Sequence, residues 1–323
     1  MIKFIIILFF VLTSSYAFSA DNVDIDQLRL LAEQGNATAQ FNLGVIYDVG
    51  NGAPQNYIEA AKWYRMAAEQ GDAGAQFNLG SMYETGEGVP RDDKEAANWY
   101  RLAATQGVAA AQSNLGVMYD YGKGVPQDDI EAAKWYKLAA EQGDAAAQSN
   151  LGLMYANGRG VVQDYGEASG WYRLAAEQGV AAAQSNLGVL YSTGRGVPQD
   201  DIEALKWYRL AAAQEDAAAQ FNLGIAYVNG QGVAQDFVEA TKWYRLAAEQ
   251  GHAEAQTNLG YRYALGQGVL QSYKDAYAWW AVAAANGNQT AWENLGKAQK
   301  YLTPALIEAA QELAKEFMAK SNN

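Results

Sequence analysis

Residues able to act as nucleophile, acid or base are few in this chain, and their spacing does not favour catalysis. The sequence has no Cys and one His, His252, which excludes thiolate nucleophiles, disulfides and any Cys-based or multi-His metal site. A Ser nucleophile assisted by Lys needs the two side chains about one helical turn apart, whereas Ser272 and Lys274 are two residues apart and do not share a helix face. We therefore predict no catalytic residues, no bound metal and no cofactor, and we assign His252 to a helix start.

Repeated carboxylates and glycines are the remaining candidates for chemistry, and both have a structural explanation. Acidic pairs such as Asp92 and Glu95 recur at the spacing of a helix N-cap and the third helical residue. Copies of one repeat also give their carboxylates similar environments, while a catalytic acid and base need different ones. The G-x-G pairs, such as Gly86 and Gly88, lack the G-K-[ST] or G-x-G-x-x-G pattern of a phosphate-binding loop. We expect these residues to cap helices and turn the chain.

The charge balance and the first twenty residues bear on partners and location. The formal net charge is −13, which disfavours nucleic acid and anionic membrane surfaces as partners. Lys3, the apolar run from Phe4 to Leu12 and the small residues up to Ala20 have the order of a secretory signal peptide. We predict cleavage near residues 17–20 and an exported monomer, periplasmic or secreted, without stable membrane insertion after cleavage. An uncleaved N-terminal anchor is the alternative.

A 36-residue internal repeat dominates the sequence. Asn-Leu-Gly recurs eight times at this spacing, from Asn42 to Asn294, and in most copies a Tyr, a G-x-G and a Trp-Tyr pair follow at fixed distances. The interval predicts a stack of helical hairpins, because one hairpin cannot bury its apolar face alone. The predicted fold class is all-α, an α/α superhelical solenoid of helix-turn-helix repeats. Its predicted segments are a signal peptide (1–20), an N-terminal capping helix (21–36), eight repeats (37–301, the last degenerate) and a C-terminal capping helix with its tail (302–323).

Each repeat is predicted to consist of two helices, which we call A and B. Helix A of the first copy should run from Ala37 to Val49, and the glycine inside it, Gly44, indicates the close approach of a neighbouring helix. Helix B should begin after an N-cap residue, place a Trp between helices, and end at a Gly with left-handed backbone. Glu215 replaces that Gly in one copy, so we predict a strained turn there. Thr303 should be the N-cap of the C-terminal helix, whose predicted apolar stripe consists of Leu306, Ala310, Leu313 and Phe317.

The positions shared by the copies form a recognisable motif. In the second copy it consists of Ala73, Ala75, Gln76, Leu79, Gly80, Tyr83, Gly86, Gly88, Val89, Trp99, Tyr100, Ala103 and Ala104. This motif resembles the Sel1-like repeat family, a relative of the tetratricopeptide repeats, and the chain is identified as a cysteine-free, exported member. The resemblance implies a scaffold or adaptor that binds other proteins in the bacterial envelope or outside the cell, with the A helices lining a concave groove. A Cys-rich branch of the family is linked to β-lactam hydrolysis, so a β-lactamase-like hydrolase is a further alternative, which the missing Cys and S-x-x-K motif disfavour.

Positions that differ between copies are the candidates for binding, since positions shared by all copies are those that packing requires. On helix A the variable positions lie four and three residues apart and so share one face. The predicted groove residues on this face, which we call the A-helix stripe, are Phe41, Val45, Asp48, Phe77, Glu84, Phe221, Ile225, Val228 and Tyr261. Their apolar and acidic side chains suit a peptide or protein segment with some positive charge. For position 45, packing against the next helix A is an equal alternative.

The repeated aromatic residues allow a second function, binding to peptidoglycan or exopolysaccharide. An aromatic residue present in every copy at core spacing is expected in the core, so this alternative depends on residues unique to the last copies. Trp280 and Trp292 are such residues. They either form an exposed platform or seal the last repeat under the C-terminal helix, and we expect sealing.

Overall fold

The structure is a computed structural model that describes residues 25–321, and every regular element in that range is helical. The helices are α1 (Ile25–Glu33), α2 (Ala37–Val49), α3 (Tyr57–Glu69), α4 (Ala73–Thr85), α5 (Asp93–Thr105), α6 (Ala109–Tyr121), α7 (Asp129–Glu141), α8 (Ala145–Asn157), α9 (Tyr165–Glu177), α10 (Ala181–Thr193), α11 (Asp201–Ala212), α12 (Ala217–Asn229), α13 (Phe237–Glu249), α14 (Ala253–Leu265), α15 (Tyr273–Ala285), α16 (Gln289–Ala298) and α17 (Pro304–Ser321), with a 3-10 helix (Gln299–Tyr301) before α17. The even-numbered helices from α2 are A helices, and the odd-numbered helices from α3 to α15 are B helices. The all-α fold class is confirmed. The predicted signal peptide, residues 21–24 and residues 322–323 lie outside the described residues.

The contacts divide the chain into two units. The first contains the described residues up to Met118 together with Gly122–Pro126, and the second contains Tyr119–Tyr121 and the described residues from Gln127 onward. In each unit helix A packs on helix B of the same repeat, and that helix B packs on helix A of the next, as α2, α3 and α4 do in the first unit and α8, α9 and α10 in the second. Each unit therefore buries its apolar surface between successive hairpins, as a repeat array must.

Short polar side chains and left-handed glycines set the ends of the helices. In the fourth repeat the N-cap Asp144 accepts from the Ala147 backbone N–H at 2.7 Å, and α8 ends where Gly158 has a φ of 66°. Asp164 then accepts from the N–H groups of Gly166 and Glu167 at the start of α9. An Asn, Asp or Ser fills the same N-cap position in each of the seven B helices. The predicted caps are confirmed, and each boundary is set by residues close in sequence.

The Gly inside a helix A receives the ring of a Tyr from helix B of the same repeat. A Cβ built on Gly152 would lie 2.7 Å from Cδ1 of Tyr172, and one built on Gly80 would lie 2.8 Å from Cδ1 of Tyr100. Both Tyr side chains are almost completely buried. The predicted close approach of a neighbouring helix is confirmed, and the group of that helix nearest the Gly is the Tyr ring.

A row of buried Gln side chains links successive repeats. In the second unit Gln148 Nε2 donates to the Ala140 carbonyl at 3.1 Å, and Gln148 Oε1 accepts from Gln178 Nε2 at 2.8 Å. Gln184, in the next A helix, has the equivalent two partners. The nitrogen and the oxygen of each buried amide are therefore both satisfied, as buried polar groups require. Trp292 takes the place of this Gln in the last copy.

Helix α17 packs on the last B helix, α15. Thr303 is its N-cap, as predicted, and accepts from the Leu306 backbone N–H at 3.3 Å. The ring of Phe317 stacks on Trp279 with the centroids 4.1 Å apart. The prediction for Leu306 is wrong: its side chain is exposed, because Ile307, one residue further round the helix, faces the core instead.

Glu215 has the left-handed backbone that Gly has at the same place in other copies. Its φ is 64°, the only positive φ of a non-Gly residue in the described chain. The turn keeps its hydrogen bonds, since Asp216 N donates to Ala211 O at 3.2 Å as Asp144 N donates to Ala139 O at 3.1 Å. Helix α11 has 12 residues where α7 has 13. The predicted strain is therefore present, and it is worth about 1 kcal/mol.

We expect Glu215→Gly to stabilise the protein by about 1 kcal/mol, because Gly adopts this backbone without strain and a negative charge leaves the C-terminal end of α11. Gly143→Glu makes the opposite change at an equivalent turn where φ is 94° and no atom lies within 4 Å of an added Cβ. It should destabilise by a similar amount. Urea unfolding of both variants measures the effect, and a neutral or destabilising Glu215→Gly would show that the Glu215 side chain makes a stabilising contact.

Candidate binding surface

In the first unit the A-helix stripe lies over a buried Tyr of the same repeat. Phe41, Val45 and Asp48 are each half-buried on α2. The Phe41 ring centroid is 5.9 Å from that of Tyr64, and Asp48 Oδ2 accepts from the Tyr64 hydroxyl at 3.1 Å. Part of each side chain is therefore used for packing, and the rest remains accessible to a partner.

The same arrangement recurs on α4. The rings of Phe77 and Tyr100 are 5.8 Å apart, and Glu84 Oε2 accepts from the Tyr100 hydroxyl at 2.8 Å. Phe77 and Glu84 are half-buried. The Tyr100 side chain thus contacts both a phenyl ring and a carboxylate of α4, and its hydroxyl fixes the carboxylate.

Burial sets the electrostatics of these contacts. Desolvation raises the pKa of the Tyr64 and Tyr100 hydroxyls well above the usual range for Tyr, and the neighbouring carboxylates raise it further. Burial also raises the pKa of Asp48, while the hydrogen bond from Tyr64 opposes that rise. Both Tyr residues therefore stay protonated and remain hydrogen-bond donors to the carboxylates.

In the second unit the predicted stripe is apolar. On α12 the Phe221 ring lies 5.9 Å from Tyr244, and Ile225 and Val228 pack at the edge of the same buried cluster. Burial raises the pKa of Tyr244 to about 12. On α14 the Tyr261 ring meets Trp280 edge-on at 5.5 Å. The stripe residues of this unit therefore offer aromatic and aliphatic surface where those of the first unit add carboxylates.

A second apolar surface was not predicted. One Leu of helix B recurs every 36 residues and is between 39% and 47% exposed at Leu102, Leu138, Leu174, Leu210 and Leu246. We call these residues the B-helix leucine row. The sequence contains the signal, a Leu retained in five successive copies, but the predicted groove residues are confined to positions that vary on helix A.

The side chain of His252 has a structural role. It is the N-cap of α14, where Nδ1 accepts from the Ala255 backbone N–H at 3.3 Å. Its ring stacks on Phe221 with the centroids 4.6 Å apart. Burial lowers the pKa of His252, and the charges of Glu254 and Asp216 partly oppose that shift. The neutral imidazole is therefore the form that fits the folded chain.

The two unusual Trp residues lie in different surroundings. Trp280 is buried, and its Nε1 donates to the Thr257 carbonyl at 3.0 Å, whereas Trp292 is 66% exposed. Trp280 thus packs in the interior against α14, and Trp292 does not. Among residues 25–321, no group of three or more His, Asp or Glu side chains is placed to hold a metal ion. None of the helices in that range is long and apolar enough to cross a membrane.

We expect His252 to make stability depend on pH. Its folded pKa is lowered, so its contribution is complete above the unfolded pKa of about 6.5 and is lost as the pH falls through that value toward the folded pKa. His252→Asn keeps a capping side chain that does not titrate. Urea unfolding at pH 7.5 and pH 5 should show that the wild-type protein loses more stability than the variant, and equal losses would contradict the assignment.

Comparison with known proteins agrees with the repeat architecture. The Sel1 repeat family model matches seven consecutive segments, residues 37–72, 73–108, 109–144, 145–180, 181–216, 217–252 and 253–288. A Sel1 repeat protein from Oxalobacter formigenes is 38% identical with a TM-score of 0.66, and the match covers 86% of this chain and 82% of the other. A protective antigen present in uropathogenic Escherichia coli strains, displaying an SLR fold, is 30% identical with a TM-score of 0.54, and the match covers 93% of this chain and 95% of the other. No curated protein matches the chain.

Proteins built from this repeat generally mediate protein–protein interaction and are generally non-catalytic. The matched segments cover more than half of the chain, and their limits coincide with the helical hairpins of the structure. The degenerate eighth copy, which follows the last matched segment, consists of α16 and the 3-10 helix. The chain belongs to the Sel1 repeat family.

Proposed function

We propose that the protein is an exported, non-enzymatic adaptor that binds a segment of a partner protein along the A-helix stripe. The general role of the family in protein–protein interaction supports binding. The observation that carries the choice of surface is the pairing of a half-buried Phe with a fixed carboxylate on α2 and again on α4. A segment with apolar side chains and Lys or Arg complements this surface. The export part of the proposal rests on the signal-peptide pattern of residues 1–20.

The non-enzymatic part rests on how the titratable groups are used. His252 caps a helix through Nδ1 and stacks on Phe221. Asp48 and Glu84 accept hydrogen bonds from buried Tyr hydroxyls. These contacts give each group a structural partner, which is the arrangement expected of a scaffold rather than of a catalytic pair.

Two alternatives each have one observation in their favour. The exposure of the B-helix leucine row favours an adaptor that binds its partner on the B helices instead of the A helices. The exposed indole of Trp292 favours peptidoglycan or exopolysaccharide binding, because sugar rings stack on accessible aromatic faces. The A-helix stripe is preferred, because it alone combines variation between copies, aromatic surface and charge.

Photo-crosslinking within one repeat separates the two helix surfaces. Leu153, on α8, occupies position 45 of its copy and is 41% exposed, and Leu174, on α9, belongs to the leucine row and is 45% exposed. We replace each in turn with p-benzoylphenylalanine, irradiate cells of the native host and identify adducts by mass spectrometry. We expect adducts to a single protein at position 153 and few at position 174. Adducts at 174 alone would move the binding surface to the B helices, and adducts at neither position would remove the A-helix stripe as the binding surface.

The captured partner then tests the role of charge. Glu84→Gln removes a charge but leaves an oxygen that can accept from Tyr100, so the fold should be retained. We expect the purified partner to bind this variant about two- to fivefold more weakly at low salt, and the difference should vanish at about 1 M salt. Phe77→Ala is a less clean variant, since its ring packs against Tyr100 and its loss costs about 0.5–1.5 kcal/mol of stability from that aromatic pair.

A further inference from the structure

The last repeat of the second unit contains a small aromatic cavity. Its volume is about 180 Å³, and it lies between α14, α15, α16 and the 3-10 helix. Two ring pairs contribute to its wall: Tyr261 meets Trp280 edge-on at 5.5 Å, and Tyr273 stacks on Tyr301 at 4.5 Å. Because each of these four rings packs against its partner ring, the cavity is formed before any ligand binds.

One side chain that lines this cavity lacks a hydrogen-bond partner. Asn294 is 3% exposed, and its Nδ2 makes no hydrogen bond within the described part of the chain. A buried amide nitrogen in that state destabilises a protein. The buried Gln amides of the same unit show the usual outcome, since both their nitrogen and their oxygen have partners.

The earlier repeats show what Asn294 has lost. The side chain of the equivalent Asn lies beside the hydroxyl of the Tyr fourteen residues before it and partly offsets the rise in the pKa of that hydroxyl, as Asn258 does with Tyr244 in this unit and Asn78 with Tyr64 in the other. Fourteen residues before Asn294 the Tyr is replaced by Trp280. The indole has no acceptor atom, and its N–H already donates to the Thr257 carbonyl at 3.0 Å. With Trp at position 280 no hydroxyl lies beside Asn294, and its buried amide nitrogen, next to the cavity, is left without a hydrogen-bond partner.

We propose that this cavity binds one aromatic side chain of a partner polypeptide, with the carbonyl oxygen of the same residue accepting from Asn294 Nδ2. This inference rests on the proposed function, because it takes a polypeptide as the ligand. The volume is below the roughly 300–1,000 Å³ of pockets for whole small molecules, so one side chain fits it better. The wall is largely ring and aliphatic carbon, which suits an apolar group, and Asn294 with the exposed Lys297 at the edge supplies donors for an oxygen.

The test is a titration of the purified protein with N-acetylphenylalanine amide, followed by the indole N–H signals in ¹⁵N NMR spectra. The Trp280 signal is assigned from its loss in Trp280→Phe. We expect this signal to shift saturably with a millimolar Kd, as for a single side chain, while N-acetylalanine amide produces no saturable shift. Absence of a saturable shift at Trp280 would overturn the proposal, and saturable binding of N-acetylglucosamine in place of the phenylalanine amide would assign the cavity to a sugar.

Two Asn variants separate a binding role from a structural one. Asn294→Leu should raise the urea midpoint, because it removes an unpartnered donor, and should weaken binding of N-acetylphenylalanine amide about two- to tenfold. Asn258→Leu, at the equivalent position where the amide lies beside the Tyr244 hydroxyl, should lower the midpoint and leave the Kd unchanged. Equal Kd values for wild type and Asn294→Leu would contradict the role of the amide. If Asn294→Leu does not fold, Tyr301→Ala, which removes an exposed part of the wall, must weaken binding for the proposal to stand.

The result of this titration can be distinguished from the result of the crosslinking experiment that tests the proposed function. A crosslinked partner at position 153 together with an empty cavity in the titration removes only the present inference. Saturable binding of the phenylalanine amide without any crosslinked partner leaves the cavity assigned and removes the A-helix stripe as the binding surface.

Discussion

The contact between a Tyr ring and a helix that lacks a Cβ is the constraint on which each repeat depends. At Gly152 an added methyl would lie 2.7 Å from the Tyr172 ring, so the two helices of the hairpin are closer than any side chain on helix A would allow. Gly inside a helix costs about 1 kcal/mol relative to Ala, whereas burying an aromatic ring contributes more than that. Replacing Ala by Gly inside helix A therefore stabilises the repeat only if an aromatic ring from helix B fills the space. Gly and Tyr therefore recur together in the first six repeats, and in the seventh Trp280 takes the place of the Tyr against Gly260.

The same Tyr connects the core to the surface. Its ring lies against the Gly, and its hydroxyl reaches the last turn of helix A, where it fixes Asp48 and Glu84 in the first unit. In the second unit Val228 takes that position on α12. At the end of the array Trp280 replaces the Tyr, and the Asn that other copies pair with the hydroxyl is left without a partner. Substitutions at the helix-B Tyr, or at the helix-A position that its hydroxyl reaches, thus produce an acidic surface in one repeat, an apolar surface in another and a cavity in the last.

The sequence was sufficient for the features that depend on neighbouring residues. Helix α2 runs from Ala37 to Val49 as predicted, because its N-cap and its left-handed Gly lie within a few residues of its ends. The backbone of Glu215 could be predicted for the same reason, since the turn type is read from the equivalent glycines. These are local rules applied at a fixed interval, which repetition makes unusually reliable.

Features that depend on distances between helices could not be predicted. The apolar spacing of α17 is compatible with either Leu306 or Ile307 facing the core, and packing on α15 decides between them. The B-helix leucine row is retained in five successive copies and is yet partly exposed, and only the placement of the neighbouring helices shows this exposure. Asn294 has the same sequence motif as its counterparts, so its lack of a partner became visible only from its contacts.

The most direct measurement of the Gly–Tyr constraint is a comparison of Gly152→Ala with Gly296→Ala by urea unfolding. Both glycines occupy the same position of the motif, but no atom lies within 4 Å of a Cβ added to Gly296. Gly152→Ala should destabilise by about 1–3 kcal/mol through overpacking against Tyr172, and Gly296→Ala should stabilise by up to about 1 kcal/mol through helix propensity. If Gly152→Ala instead stabilised the protein as Gly296→Ala does, contact with the Tyr ring would not be the reason for the repeated glycine.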